Sequence, residues 1–183
     1  MNKKFTKKVC VFLSAQNLKK EYEEPALKLV NLLVVNGFSF VYGGSERGLM
    51  KKAADLVRVK KGKIIAVVSE EFREVWRSDV DKQIICPNIP DRKKEVLKVS
   101  DALIVLPGGT GTLDEMMEAI ETKKWGNHNK PIILLNIENF WNGLIEQFNK
   151  LVTEKFLDRH LKDLVYVTDD VDKVIEYLKG ELK

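Results

Sequence analysis

Ala102-Leu103-Ile104-Val105-Leu106-Pro107-Gly108-Gly109-Thr110-Gly111-Thr112-Leu113-Asp114-Glu115 is the stretch that decides how this chain folds. Its first five residues are all apolar, which predicts a short strand buried on both faces. A glycine-rich turn follows, and then a helix predicted over residues 113–124. A turn placed between a strand and a helix leaves backbone N–H groups unpaired at the positive end of the helix dipole. That arrangement is a seat for a phosphate. Glycine lets the chain reverse tightly and lets an anion approach the backbone without a Cβ in the way. Glu115, one turn into the predicted helix, puts a carboxylate beside whatever the phosphate carries. The stretch therefore predicts a site for a phosphorylated small molecule.

Outward from this stretch, apolar runs of strand length alternate with amphipathic runs of helix length. Strands are predicted at 9–13, 38–42, 64–68, 83–86, 102–106, 131–135 and 165–167. Helices are predicted at about 21–36, 49–60, 91–100, 113–124, 141–153 and 171–179, while residues 71–81 fit neither period. Strands alternating with helices imply an α/β fold: one Rossmann-like, doubly wound parallel sheet with helices on both faces. Residues 1–183 should form a single domain, since the chain shows no repeat, low-complexity tract or linker. In such sheets ligands bind beyond the carboxyl ends of the strands. Two glycine-bearing loops leave strand ends, the one after Leu106 and Gly43-Gly44-Ser45-Glu46-Arg47-Gly48 after Tyr42.

Several function classes are disfavoured. The first strand ends in Leu13-Ser14-Ala15-Gln16-Asn17 without GxGxxG, and GxxxxGK[ST] is missing, which argues against an NAD enzyme and an NTPase. His128 and His160 stand alone, and Cys10 and Cys86 lie in no CxxC or ligand cluster. No metal and no cofactor is expected, and both cysteines read as buried free thiols. The net charge of +4 is spread over scattered lysine pairs, which suits solvated helix faces and mild attraction of anions rather than nucleic acid. No apolar run reaches the roughly 20 residues of a membrane span. The basic start, Met1-Asn2-Lys3-Lys4-Phe5-Thr6-Lys7-Lys8, leads into too short an apolar run to read as a signal peptide. A cytoplasmic protein without a membrane partner is expected. Trp76, Trp125 and Trp141 read as packing or dimer-interface residues rather than stacking platforms.

Tyr42-Gly43-Gly44…Gly48-Leu49-Met50, Arg92-Lys93 and Pro107-Gly108-Gly109-Thr110-Gly111-Thr112-x-x-Glu115 together resemble the LOG family of cytokinin riboside 5'-monophosphate phosphoribohydrolases. Many members carry the label "possible lysine decarboxylase". The resemblance runs from Val9 to about Leu178 and takes in His128-Asn129-Lys130-Pro131. It implies hydrolysis of the N-glycosidic bond of adenine-type nucleoside 5'-monophosphates, N6-modified ones included, giving free base and ribose 5-phosphate. It implies Arg92 and Glu115 as the catalytic pair, and a homodimer. Substrate would be held by Ser14, Gly43, Gly44, Glu74, Lys93, Gly108, Gly109, Thr110, Gly111, Thr112 and Asp114. Positive charge builds on the ribose as the C1'–N bond breaks, and a nearby carboxylate can stabilise it while ordering water. The chain departs from the family pattern at Ser45, where a third glycine is common, at Lys51 after Met50, at the charged Glu46-Arg47, and at Ile89. A decarboxylase would need pyridoxal phosphate on a Schiff-base lysine, and nothing in the sequence marks one.

Blander readings remain open for the same residues. Thr112-Leu113-Asp114-Glu115 is also a capping box, with Thr112 as N-cap and Glu115 at N3. Pro90-Asp91 could simply start the helix that carries Arg92-Lys93, with Asp91 as its cap. Gly43-Gly44 could be only a turn, Glu74 a solvated charge, and Asp114 an acid placed for the helix dipole. A second function class is a non-hydrolytic binder of nucleotides or phosphorylated cofactors, such as a sensor or carrier, which the altered Ser45-Glu46-Arg47 loop favours.

Overall fold

The computed structural model describes residues 7–183, so most of the basic start lies outside the described residues. Seven strands form one sheet: β1 (Lys8–Phe12), β2 (Ser39–Tyr42), β3 (Ile64–Ser69), β4 (Lys82–Cys86), β5 (Ala102–Val105), β6 (Ile132–Leu135) and β7 (Tyr166–Thr168). Between and after them run α1 (Lys20–Val35), α2 (Gly48–Val59), α3 (Ile89–Val99), α4 (Thr110–Lys124), α5 (Asn142–Thr153) and α6 (Val171–Glu181). All neighbouring strands pair in parallel, in the order β4-β3-β2-β1-β5-β6-β7.

Alternation along each strand sorts side chains to two cores. Val9, Val11 and Leu13 pack with α1, α2 and α6, while Cys10 and Phe12 pack with α3, α4 and α5. The central strands are wholly buried, which is why they read as unbroken apolar runs. The chain steps outward from β1 to β4 and then crosses back, so β5 lies beside β1 on its other side, with Val9 opposite Ala102 and Phe12 opposite Val105. The strand order reverses between β1 and β5. A crevice opens at such a point because the connections leaving the two strands turn to opposite sides. Cys10 and Cys86 are buried free thiols.

The structure corrects the predicted start of two helices. α4 begins at Thr110 with Gly109 as its N-cap, so Thr112 is not a cap and Glu115 lies in the second turn, too deep for a capping box. α3 begins at Ile89, and its cap is Asn88, whose Oδ1 accepts from the Asp91 backbone N–H at 2.8 Å. Asp91 is therefore inside the helix, where its carboxylate accepts from the Asn88 side-chain amide at 2.9 Å. Residues 71–81, which fit neither period, fall on a 3-10 helix, Glu70–Val75, and an irregular return to β4. Tertiary bonds shape this segment. Ser45 pairs with Trp76 in an antiparallel bridge, Glu46 N–H donates to the Val75 carbonyl, and Arg77 N–H donates to that of Gly44, both at 2.8 Å. At the other end of the sheet, Lys130 Nζ donates to the Leu97 and Ser100 carbonyls, which terminate α3.

Candidate active site

The turn after β5 and the loop after β1 meet at the switch point. There, a cavity of about 260 Å³ is lined by Ser14, Ala15, Gln16, Met50, Arg92, Gly109, Thr110, Gly111, Thr112 and Glu115, with Leu13 at its floor. The first amides of α4 have no intrahelical partner and line this space at the positive end of the helix dipole. A Cβ added at Gly109 or Gly111 would meet nothing within 4 Å, so these two glycines leave room for a ligand. Gly108 is different: a Cβ there would strike the Thr112 side chain, which lies over it. The loop after β1 is shaped by its own hydrogen bonds, Gln16 N–H to Ser14 Oγ at 3.0 Å and Met50 N–H to the Ser14 carbonyl at 3.2 Å.

Glu115 is only 9% exposed, and its Oε1 accepts a short hydrogen bond from Arg92 Nη2. Burial pushes its carboxyl above the ordinary carboxylate range, and the Arg92 guanidinium pulls it back down. Beside this pair, Lys93 Nζ donates to Asp114 at 2.7 Å and lies 3.7 Å from Glu118. The consecutive residues Arg92-Lys93 on α3 thus answer the consecutive Asp114-Glu115 on α4, and two adjacent ion pairs join the helices. The first pair is inside the cavity and the second is outside it.

A second cavity of about 270 Å³ adjoins the first and shares Ala15, Met50 and Arg92 with it. Its remaining lining comes from the loop after β2 (Gly43, Ser45, Arg47) and from the segment after β3 (Ser69, Phe72, Val75, Trp76). These two segments are fastened behind the cavity by Arg77. Its side chain is 8% exposed and donates from Nη1 to Asp55 at 2.6 Å and to Glu46 at 3.0 Å. Glu46 also accepts from Lys51 at 2.8 Å, so its charge is spent on this cluster and lines neither cavity. Trp76 Nε1 donates to the Ser69 carbonyl at 3.1 Å, which fixes the indole in the wall.

Of the sequence candidates, the structure brings Ser14, Arg92, Gly109, Thr110, Gly111, Thr112 and Glu115 to the first cavity and Gly43 to the second. It brings Gly44, Glu74, Lys93, Gly108 and Asp114 to neither. Gly44 has φ +77° and abuts Val68, so backbone conformation demands glycine there. Glu74 is exposed on the 3-10 helix, although its neighbours Phe72, Val75 and Trp76 face the second cavity. Sequence reading missed Gln16, Met50, Phe72, Val75 and the place of Trp76 in a cavity wall. The usable signal was two aromatic residues in a segment that follows a strand end. A wider groove of about 850 Å³ lies at the start of α1 and α6, but its mixed charges include none of the candidate residues. No lysine among the described residues lines either cavity of the site, so these residues do not fit a pyridoxal Schiff base. Among the described residues, no group of three or more His, Cys, Asp or Glu is placed to hold a metal ion.

A glycine-rich turn at the switch point, a buried Glu–Arg pair beside it and an aromatic-walled annex together make up the candidate site of this Rossmann-like fold. Residues 50–178 match the protein family described as possible lysine decarboxylase. Cytokinin riboside 5'-monophosphate phosphoribohydrolase LOG3 of Arabidopsis thaliana is 32% identical over 98% of this chain and 85% of that protein. LOG4 of the same plant, which bears the same enzyme name, is 32% identical over 94% of this chain and 81% of that protein. The chain belongs to this family, the LOG family. In fold it is similar to the molybdenum cofactor carrier protein of Chlamydomonas reinhardtii, with a TM-score of 0.73 at 22% identity over 97% of this chain and 98% of that one.

Proposed function

We propose that this protein hydrolyses the N-glycosidic bond of adenine-type nucleoside 5'-monophosphates, N6-modified ones included, to free base and ribose 5-phosphate. The observation that carries this reading is the Arg92–Glu115 pair at the boundary of two unlike cavities, one lined by a phosphate turn and one by aromatic and apolar side chains. The 5'-phosphate would take the amides at the start of α4, and the base would enter the annex beside Phe72, Val75 and Trp76. The C1'–N bond would then lie over Arg92 and Glu115. Water oxygen bonds to C1' as the C1'–N bond breaks. The bonding pair leaves with the base nitrogen, which is protonated from solvent. Glu115 as carboxylate accepts the water's proton and faces the positive ribose. The Arg92 guanidinium opposes the burial that favours the protonated acid.

The working unit is proposed to be a homodimer in the cytoplasm. The dimer rests on the family resemblance, and sedimentation of the purified chain checks it. The two buried free thiols suit a reducing compartment, and no helix among the described residues is long and apolar enough to cross a membrane.

Base release from AMP, N6-isopentenyl-AMP, GMP and CMP by wild type and Glu115→Gln tests the reaction. The amide keeps the side chain's shape while losing its charge and basicity. Release by wild type should fall in the variant on the order of 10²- to 10⁴-fold, with nucleotide binding retained. If neither releases base while both bind nucleotide, the sensor or carrier reading takes over.

A further inference from the structure

Gly43 lies just past the carboxyl end of β2, where the far end of the Arg92 side chain occupies the place of its missing Cβ. A Cβ built on Gly43 would sit 2.8 Å from Arg92 Nη1, inside any normal contact. Its next neighbours, Met50 Cε at 3.4 Å and Sδ at 3.8 Å, are at ordinary packing distance. The guanidinium thus fills with Nη1 the space that a side chain at Gly43 would take, and is held at Nη2 by Glu115. Its Nε is buried without a hydrogen-bond partner, so packing rather than a third bond settles the remaining freedom of the group. Arg92 is the side chain that borders both cavities with charge. A side chain at 43 would overlap the guanidinium, which would have to shift from its present place.

We propose that Gly43 is a positioning residue for the reaction: its missing side chain sets where the Arg92 guanidinium lies, and thereby how Arg92 meets Glu115 between the two cavities. This inference rests on the hydrolase reading for its kinetic consequence but not for its geometry. It also separates the two glycines of the Tyr42-Gly43-Gly44 turn. Gly44 is required by its own φ of +77°, whereas Gly43 has no left-handed backbone and is required by its neighbour.

The test compares wild type, Gly43→Ala, Arg92→Lys and the double variant. Two quantities are read: kinetics on AMP, and titration of the Glu115 side-chain carboxyl followed by carbon-13 NMR. The charged and titratable groups facing Glu115 are Arg92 and Lys93 from α3, Asp114 from α4 and the Cys10 thiol from β1. Of these, only Arg92 lies where a side chain at Gly43 would. Gly43→Ala should lower kcat on the order of 10- to 100-fold, the usual scale for misplacing a catalytic group by a fraction of an ångström to 1 Å. KM should stay within about threefold, and ribose 5-phosphate should bind as before, because the turn after β5 is untouched. The Glu115 carboxyl should titrate at higher pH than in wild type. On the Arg92→Lys background the alanine should add less than about a twofold cost, since partners in one interaction are not additive.

Wild-type kcat and wild-type titration in Gly43→Ala would overturn the proposal, as would an equal cost of the alanine with and without Arg92. If Gly43→Ala alone melts early, recovery of the melting temperature in the double variant supports the clash with Arg92, and failure to recover overturns it. If wild type releases no base at all, the hydrolase reading falls, while the carboxyl titration still decides the role of Gly43.

Discussion

Glu115 and Arg92 set the residue scale, because a carboxyl that is 9% exposed and answered by one guanidinium is sensitive to its charge state. Burial raises its folded-state pKa above the unfolded value, so the native protein holds a proton more firmly than the unfolded chain does. Stability from this group is therefore fully present below the ordinary carboxylate range and is lost as pH rises through the elevated folded value. Wild type should lose stability relative to Glu115→Gln as pH rises through that window, with no such drift at more acid pH. Urea midpoints of the two proteins across a pH series measure it, and parallel curves would refute the assignment of cause. The pair itself was legible, since the glycine turn and the Arg92-Lys93 motif name both partners. The split among the glycines was not: Gly108 answers Thr112, Gly44 its own backbone and Gly109 open space, and no local pattern separates those reasons.

At the scale of elements, the site depends on where two helices begin. α3 is started by Asn88, and the Ile89 N–H also donates to the Glu71 carboxylate at 2.7 Å. One turn later the helix delivers Arg92. Asn88→Ala should cost about 1 kcal/mol, as lost N-caps do, and activity should fall with it because the first turn carries the guanidinium. Chemical denaturation and base release on the same samples check both, and a stability loss with unchanged kcat would uncouple the cap from the site. Both helix types and their order could be read from periodicity. The starts could not, because Asn88-Ile89-Pro90-Asp91 offers two residues able to cap and Gly109-Thr110-Gly111-Thr112 offers four. Tertiary packing chose the earlier one each time. Residues 70–77 were illegible for a related reason: their shape comes from pairing with Gly44, Ser45 and Glu46, about thirty residues away.

Across the whole molecule, stability is concentrated at the middle of the sheet. Ile104 on β5 is fully buried between two helical layers, whereas Ile85 on the edge strand β4 is 51% exposed. Ile104→Ala should cost about 2–5 kcal/mol, and Ile85→Ala about 0.5 kcal/mol or less. Urea unfolding of the two variants compares them, and similar losses would mean that the edge is covered in solution. This architecture was legible nearly whole, because apolar runs buried on both faces leave a parallel sheet as their only home. The jump from β4 back to β5 was not written in any single run, yet it places the crevice. The partition of that crevice has a consequence for how such a molecule can change over generations. Only Ala15, Met50 and Arg92 are common to its two chambers, so the residues that would greet the base form a set nearly separate from those that would grip the sugar phosphate. On the proposed reading, substitutions at Ser45, Arg47, Phe72 or Trp76 would alter the chamber for the base and leave the lining of the other chamber unchanged. Of the departures from the family pattern after Tyr42, Ser45 and Arg47 line the second chamber, whereas Glu46 and Lys51 bond each other and line neither.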